Sequence, residues 1–440
     1  MMTESNLIWI AAGAIAGIIF FVYALSFRKA QRKGLRLAAE SRDLGANRPV
    51  AQSPQIDEYR CIGCGACIQA CPEGGVLGLA MGKAVIINGL KCVGHGLCAE
   101  ACPVAGITIG LGNVKERDDI PFLSAKNETS IPGIYIAGEL SGLALIKNAI
   151  QQGVRVIDAI KEGSGAAAAP DNSVADVVII GAGPAGMSAA LRAVEKKLSY
   201  VIIDQQTAGG TILQYPRKKV VMTQPVKIPL YGLLNKKEYT KEELLDIWQR
   251  VQQKFKVNVL TNQKLETITR VNGHFNVQTD QADFMARHVV LALGRRGTPR
   301  RLGVPGEDLP KVMYKLIDAE SYSGKNLLVV GGGDSAIEAA MGLARQPGNS
   351  VTISYRKHKF FRLKNRNEER IGKLIKENKV KVLFESEVKK INEKEVRLTL
   401  KDGEKVIPND YIFIFAGGEP PFRLLQQIGV AFGMNPDKKN

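Results

Sequence analysis

The longest unbroken apolar run lies near the start of the chain, where Leu7 to Phe27 reads LIWIAAGAIAGIIFFVYALSF, 21 residues without a charge. As a helix it would be about 31 Å long, which matches the hydrocarbon core of a bilayer. Further along, the pattern changes to short apolar strands, glycines and amphipathic helices. The run VADVVIIGAGPAGMSAALRAVEKKLSYVIID ends at Asp204, and NLLVVGGGDSAIEAAMGLARQPGNSVTISYRK ends at Lys357. Each predicts strand, tight turn, helix and parallel strand, so the chain is α/β. Another helix is predicted for KEELLDIWQRVQQKF, with Thr240 and Glu243 as a capping box and Leu244, Leu245, Ile247 and Trp248 on its core face. The small and polar stretch GSGAAAAPDNS, 163 to 173, reads as a linker.

The glycines of the first unit, Gly181, Gly183 and Gly186, allow a tight turn and close backbone approach to a pyrophosphate at the helix start, alongside Pro184 and Ala185. Asp204, at the end of the second strand, can take a ribose hydroxyl. In the second unit Gly331, Gly333 and Ala336 fill the corresponding places, with Asp334 and Ser335 between them. Its second strand ends not in an acid but in Tyr355, Arg356 and Lys357. Cations there suit the 2′-phosphate of NADP, which favours NADP over NAD.

All seven cysteines fall in two copies of one spacing: Cys61, Cys64, Cys67, Cys71-Pro72, and Cys92, Cys98, Cys102-Pro103. A shift of 31 residues superimposes them, except that Cys64 maps onto His95. Zinc sites usually set two ligand pairs at a distance, and disulfides suit small secreted chains. The run C-x2-C-x2-C-x3-C-P instead suits iron–sulfur ligation.

On these cysteines, residues 57–113 resemble a bacterial-type dicluster ferredoxin. The family's crossed ligation implies one 4Fe-4S cluster on Cys61, Cys64, Cys67 and Cys102, and a second on Cys71, Cys92 and Cys98, with His95 in the fourth place. The second cluster is then 3Fe-4S or a His-ligated 4Fe-4S. The two glycine units resemble the thioredoxin-reductase-like class of FAD flavoproteins, in the branch with ferredoxin-reductase-like and bacillithiol-disulfide-reductase-like members. That resemblance adds Gly209, Gly210 and Gly294, the last in LALGRR, to the FAD site. The family's last FAD segment stands displaced at 131–163, IPGIYIAGE and the helix after it, a circular permutation that brings Gly138 and Glu139 to the flavin. It would also set the clusters near the flavin. No cysteine lies beyond Cys102, and Ala185 stands where the bacillithiol branch has a cysteine, so disulfide chemistry is excluded.

The resulting organisation is an α/β chain with two Rossmann-like domains, an α+β dicluster ferredoxin and one transmembrane helix. Its segments are an anchor at 1–36, a linker at 37–56, the ferredoxin at 57–113, the displaced FAD segment at 114–162 and a linker at 163–174. The FAD domain follows at 175–305, the NAD(P) domain at 306–418 and a tail at 419–440. Arg28, Lys29, Arg32, Lys33 and Arg36 follow the apolar run and only Glu4 precedes it, so the cofactor domains are expected on the cytoplasmic face of the cell membrane, single-pass. A basic n-region, the mark of a signal peptide, does not precede the run. Gly13 and Gly17 offer a close-packing face for a neighbouring helix; the alternative is a simple tether.

Net charge is +17, and nine Lys or Arg lie between Arg356 and Lys376 against Glu368 and Glu369. No nucleic-acid fold signature accompanies that charge, so coenzyme phosphates, an anionic membrane or an acidic partner explain it better. The expected activity is electron transfer between NAD(P)H, FAD, two clusters and a membrane-embedded partner such as a cytochrome b or quinone-linked complex, with no catalytic side chain. The alternatives are a ferredoxin:NADP reductase acting on a soluble ferredoxin, and an electron-transfer subunit of a larger respiratory complex.

Overall fold

The computed structural model describes residues 4–43, 46, 52–110, 120–143, 145–163, 173–217, 219–222, 225–236, 238–295 and 297–433. The linker expected at 163–174 lies largely outside the described residues, as do 111–119, Arg296 and 434–440. Two compact units form, Met1–Gly112 and Asn113–Asn440.

The first unit opens with α1 (Glu4–Asp43), a single helix of 40 residues and about 60 Å. It is long and apolar enough to cross a membrane. Its large apolar side chains from Ile15 to Leu25 are exposed, and Gly13 and Gly17 have open space around them. The helix runs beyond the basic flank expected to end the anchor at 36. Its second half packs on the ferredoxin fold, where a Cβ on Gly34 would lie 2.0 Å from the Leu79 carbonyl oxygen. There β1 (Ser53–Ile56) pairs antiparallel with β4 (Ile107–Gly110), and β2 (Leu77–Ala80) with β3 (Lys83–Ile86). One-turn helices α2 (Ala66–Gln69) and α3 (Leu97–Glu100) each follow a glycine in the left-handed region, Gly65 and Gly96. Their Cys67 and Cys98 join Val76, Leu77, Ala84 and Ile107 in a small core.

The second unit holds two sheets. The first runs Val259–Leu260, β7 (Tyr200–Ile203), β6 (Ala175–Ile180), the long strand Asp283–Leu291, His274–Thr279 and Leu265–Val271. Onto the long strand β5 (Ile134–Ile136) adds in parallel, pairing Ile134 with Val289 and Ile136 with Leu291. The segment displaced in the sequence therefore lies in the sheet of the first glycine unit. After β5, α4 (Ile146–Gly163) buries Ile150, Val156, Ile157 and Ile160 in one core with Leu191 and Ala193 of α5 (Pro184–Lys196). The helices cross closely, since a Cβ on Gly153 would lie 2.2 Å from the Ala185 carbonyl oxygen. The capping box of α6 (Lys241–Lys254) forms as expected, Thr240 and Glu243 bonding reciprocally.

The second sheet is fully parallel in the order Val312–Met313, Tyr411–Ile414, Asn326–Val330, Ser350–Tyr355 and Val380–Phe384. Helices α7 (Asp334–Leu343) and α8 (Asn365–Lys376) flank it. Residues from 419, expected as a tail, instead form α9 (Phe422–Ile428) and a return segment in which Phe432 bridges to Pro121. Leu425 and Val430 enter the core of the first sheet, and Phe422, Ile428 and Phe432 pack against it. Phe122 N–H donates to the Ala431 carbonyl and Gly433 N–H to that of Ile120, tying this end to the start of the displaced segment.

Candidate redox cofactor sites

The first glycine turn leaves β6 through Gly181 at φ 106°, where an L side chain would be strained. A Cβ on Gly186 would lie 1.8 Å from the Gly181 oxygen, so this glycine lets α5 sit directly on the turn. Pro184 occupies the first turn of α5, where its missing N–H costs nothing. Gly210 closes over Gly183, its own Cβ position 2.8 Å from the Gly183 Cα. From the displaced segment Gly138 arrives with its Cβ position 3.2 Å from the Ala185 Cβ. The fold thus brings Gly138, Gly181, Gly183, Ala185, Gly186, Gly209 and Gly210 to one place, a cradle of bare backbone beside a helix N-terminus, which suits a dinucleotide pyrophosphate. Glu139 is exposed at the start of a single helical turn. Gly294 lies after the long strand at φ 66° with open space around it.

Asp204 accepts from Ala182 N–H at 2.7 Å and Gln206 N–H at 2.8 Å. Burial pushes its carboxyl up, and the two N–H bonds offset only part of that rise. A group that donates to Asp204, as a ribose hydroxyl would, relieves this. Sequence reasoning missed Gln152 and Ser141. The buried Gln152 amide accepts from Gly138 N–H at 2.7 Å and donates to Ser141 Oγ at 2.8 Å, fixing the positive-φ turn at Gly138. A glutamine on the otherwise apolar face of α4 was its signal.

In the second unit Gly331 has φ 136°, and the space around Gly333 is open. A Cβ on Gly332 would meet the Tyr355 ring at 2.3 Å, so that ring lies against the glycine turn and stacks on Phe360 at 5.6 Å. Burial raises the Tyr355 hydroxyl, while Arg362 and Arg356 pull it down, which brings Arg362 into the same surroundings as Arg356. Asp334 is engaged by the protein itself: it accepts from Lys364 N–H at 3.1 Å and Asn367 Nδ2 at 2.8 Å. It therefore ties the basic loop to the start of α7. Arg356 is exposed and Lys357 half-buried beyond the strand end.

The thiols crowd one another, with Cys98 near both Cys67 and the pair Cys71 and Cys92. Cys67 is pushed up to about 11 by burial and then by Cys61, Cys98 and Cys64. Cys98 is raised by burial and by Cys71 and Cys92. Crowded thiols that resist ionising in isolation are what a polycationic cluster would stabilise as thiolates. A single zinc ion needs its sulfurs about 3.8 Å apart, from a Zn–S bond of about 2.3 Å. Among the described residues no group of three His, Cys, Asp or Glu side chains is placed to hold a single metal ion. Backbone donors face the sulfurs: Ala84 N–H to Cys61 Sγ at 3.4 Å and Gly106 N–H to Cys102 Sγ at 3.2 Å. His95 Nε2 lies 3.1 Å from Oε1 of the buried Glu73, a carboxylate that also sits near Cys71 and Cys92. Such a carboxylate fixes the ring and its tautomer, and leaves Nδ1 as the nitrogen with which His95 could reach an iron.

Comparison with known proteins matches residues 178–439 to the family described as pyridine nucleotide-disulphide oxidoreductase, and residues 53–103 to a 4Fe-4S dicluster domain. A ferredoxin–NADP reductase of Ignicoccus hospitalis is 30% identical over 253 residues, 56% of this chain and 78% of that protein. The bacilliredoxin reductase Bdr of Bacillus subtilis is 27% identical over 261 residues, 58% of this chain and 80% of that one. Among solved structures, a bacillithiol disulfide reductase, Bdr (YpdA), from Staphylococcus aureus aligns with TM-score 0.55 at 26% identity, covering 60% of this chain and 82% of its own.

Proposed function

Because the chain belongs to the pyridine nucleotide-disulphide oxidoreductase family, an FAD-dependent class here joined to a 4Fe-4S dicluster domain, we propose that it is a membrane-anchored NAD(P)H oxidoreductase. Its clusters pass electrons to or from a membrane-embedded partner, cytochrome- or quinone-linked. The observation that carries this reading is the distribution of sulfur. All seven cysteines lie between Cys61 and Cys102, so the reductase unit has no cysteine pair that could form a reducible disulfide, and its electrons need another outlet.

When bound, the nicotinamide supplies a hydride, the flavin takes two electrons and releases them singly, and each iron–sulfur cluster carries one. The chain's part is positional. Gly181, Gly183, Gly210 and Gly138 present bare backbone to the FAD, and Asp204 holds its ribose. Gly331 and Gly333 receive the second dinucleotide, with Arg356 and Lys357 placed for a 2′-phosphate, which favours NADP. Cys61, Cys64, Cys67 and Cys102 hold a 4Fe-4S cluster. Cys71, Cys92 and Cys98 hold the second, which is 3Fe-4S or, with His95, 4Fe-4S. The apolar half of α1 spans the cell membrane once, with its basic flank and the cofactor units on the cytoplasmic side.

The test is an EPR-monitored titration of the anaerobic protein with NADPH and NADH. Reduction of flavin and then of both clusters is expected; if neither coenzyme reduces either, the path is wrong. The likeness to ferredoxin–NADP reductases supports a second reading, exchange with a soluble ferredoxin. Deleting residues 1–27, which spares the half of α1 packed on the ferredoxin fold, separates the two, because full turnover with soluble ferredoxin alone would remove the need for a membrane partner. In a third reading the chain is a subunit of a larger respiratory complex, and robust NAD(P)H oxidation by the isolated chain would count against that.

A further inference from the structure

The turn between β2 and β3 has two residues, Met81 at φ 53° and Gly82 at φ 75°, since Ala80 pairs with Lys83. Both lie in the left-handed region, as a type I′ turn requires, and the first place of such a turn is normally Asn, Asp or Gly. Methionine there is strained and also 85% exposed, an apolar side chain held in water at a conformational cost. Next to it, a Cβ on Gly63 would lie 2.2 Å from the Gly82 oxygen, so the Cys61–Cys64 loop rests on this turn. The residue before Gly63 is Ile62, which is 63% exposed. Two large apolar side chains therefore flank one backbone contact at the mouth of the first cluster site.

The height of this patch is set by α1. Gly82 N–H donates to Gln31 Oε1 at 3.2 Å, and Gly34 meets Leu79 backbone to backbone. Gln31 is four residues beyond Phe27, the last residue of the apolar run, a rise of about 6 Å along an unbroken helix. The headgroup layer beyond each face of the hydrocarbon core is about 5–7 Å deep. Arg28, Lys29, Arg32 and Lys33 surround this level on α1, and Lys83 follows the turn. Cations beside exposed apolar groups are the composition of a surface that meets anionic headgroups.

Resting on the reading that α1 spans the bilayer, we propose that Met81 and Ile62 form an interfacial foot that seats in the lipid headgroup layer and holds the first cluster site against the membrane. Cys61 is reached directly from this hairpin: Lys83 Nζ donates to its carbonyl at 2.7 Å and Ala84 N–H to its sulfur. The cluster site that this loop carries is thereby held at the membrane surface.

The test is site-specific photocrosslinking of the full chain in nanodiscs of phosphatidylethanolamine and phosphatidylglycerol. Met81→p-benzoylphenylalanine and, separately, Ile62→p-benzoylphenylalanine are irradiated and their peptides weighed; Phe20→p-benzoylphenylalanine reports the membrane span itself. Iron and acid-labile sulfide equal to the native chain show that each variant has folded. Lipid adducts at 81 or 62, together with adducts at 20, are expected. Lipid at 20 with none at 81 and 62 overturns the foot and leaves the span intact. No lipid at 20 overturns the span on which the foot depends. In native membranes, a protein adduct at 81 replacing the lipid one overturns it in favour of a protein-docking face.

Discussion

Gly153→Ala isolates the contact that joins the displaced segment to the reductase unit. In an isolated helix the change would gain about 0.8–1 kcal/mol, because glycine in a helix interior carries excess backbone entropy. In the fold, the new Cβ would lie 2.2 Å from the Ala185 oxygen and 3.0 Å from the Ala189 nitrogen. The first distance is about 1 Å short of any tolerable carbon–oxygen approach. Both obstacles are backbone atoms of α5, so no rotamer change relieves them and α4 must back away. That loosens the burial of Ile150, Ile157 and Ile160 and shifts Gly138 from Ala185. Overpacking of this kind costs about 1–3 kcal/mol, and its upper end applies where backbone meets backbone. Net of the helix gain, a loss of about 2 kcal/mol is expected, or about 3 °C in Tm for a unit that runs from Asn113 to Asn440. The assay is thermal release of flavin followed by fluorescence, with bound FAD measured after desalting. Gly163→Ala, at the exposed end of the same helix with nothing near it, should melt no lower than the native chain. If Gly153→Ala melts at or above the native temperature, the packing of α4 on α5 has been misjudged.

Arg356→Ala should raise KM for NADPH about 10–100-fold, the loss of one charge-assisted phosphate contact, and leave KM for NADH unchanged; equal effects on both coenzymes would remove Arg356 from the 2′-phosphate site. Burial raises the Asp176 carboxyl, but Ser199 N–H, Ser199 hydroxyl and Arg287 together bring it below the usual range. Its stabilisation is therefore complete above the unfolded-state value near 3.9 and fades as pH falls through the lower folded one. Asp176→Asn should cost about 1–2 kcal/mol at pH 7, with a gap to native that narrows in acid denaturation; a gap constant with pH refutes the assignment. His95→Cys should change the EPR signal of one cluster only, and Glu73→Gln should perturb that same signal, because Glu73 holds the ring. An unchanged spectrum in His95→Cys would mean that the odd ligand position has no bearing on cluster type.

Much of the chemistry was legible because it is encoded at short range. The spacing of Cys61, Cys64, Cys67 and Cys71 limits what one tight loop can grip, and Gly181, Gly183 and Gly186 mark places where a side chain would block the backbone. The uncharged run from Leu7 to Phe27 states its own length in helical rise. These signals need no partner distant in sequence. What tertiary structure decided are contacts between backbones far apart in the chain, which leave little trace in any one segment. Ile134–Ile136 adds to a strand some 150 residues later because its short, fully apolar run is buried on both faces and completes the sheet. The stretch from 419 read as a tail because its helix is only seven residues long, too short for a periodic pattern, yet Leu425 and Val430 close the first sheet's core. Nothing local marks Gly34 as the place where α1 meets Leu79, or Glu73 as the partner of His95. Local spacing determined which cofactors the chain is built to hold. Long-range packing determined which candidate residues meet, because the free energy of burying an apolar strand or a bare backbone contact exists only once both partners have met.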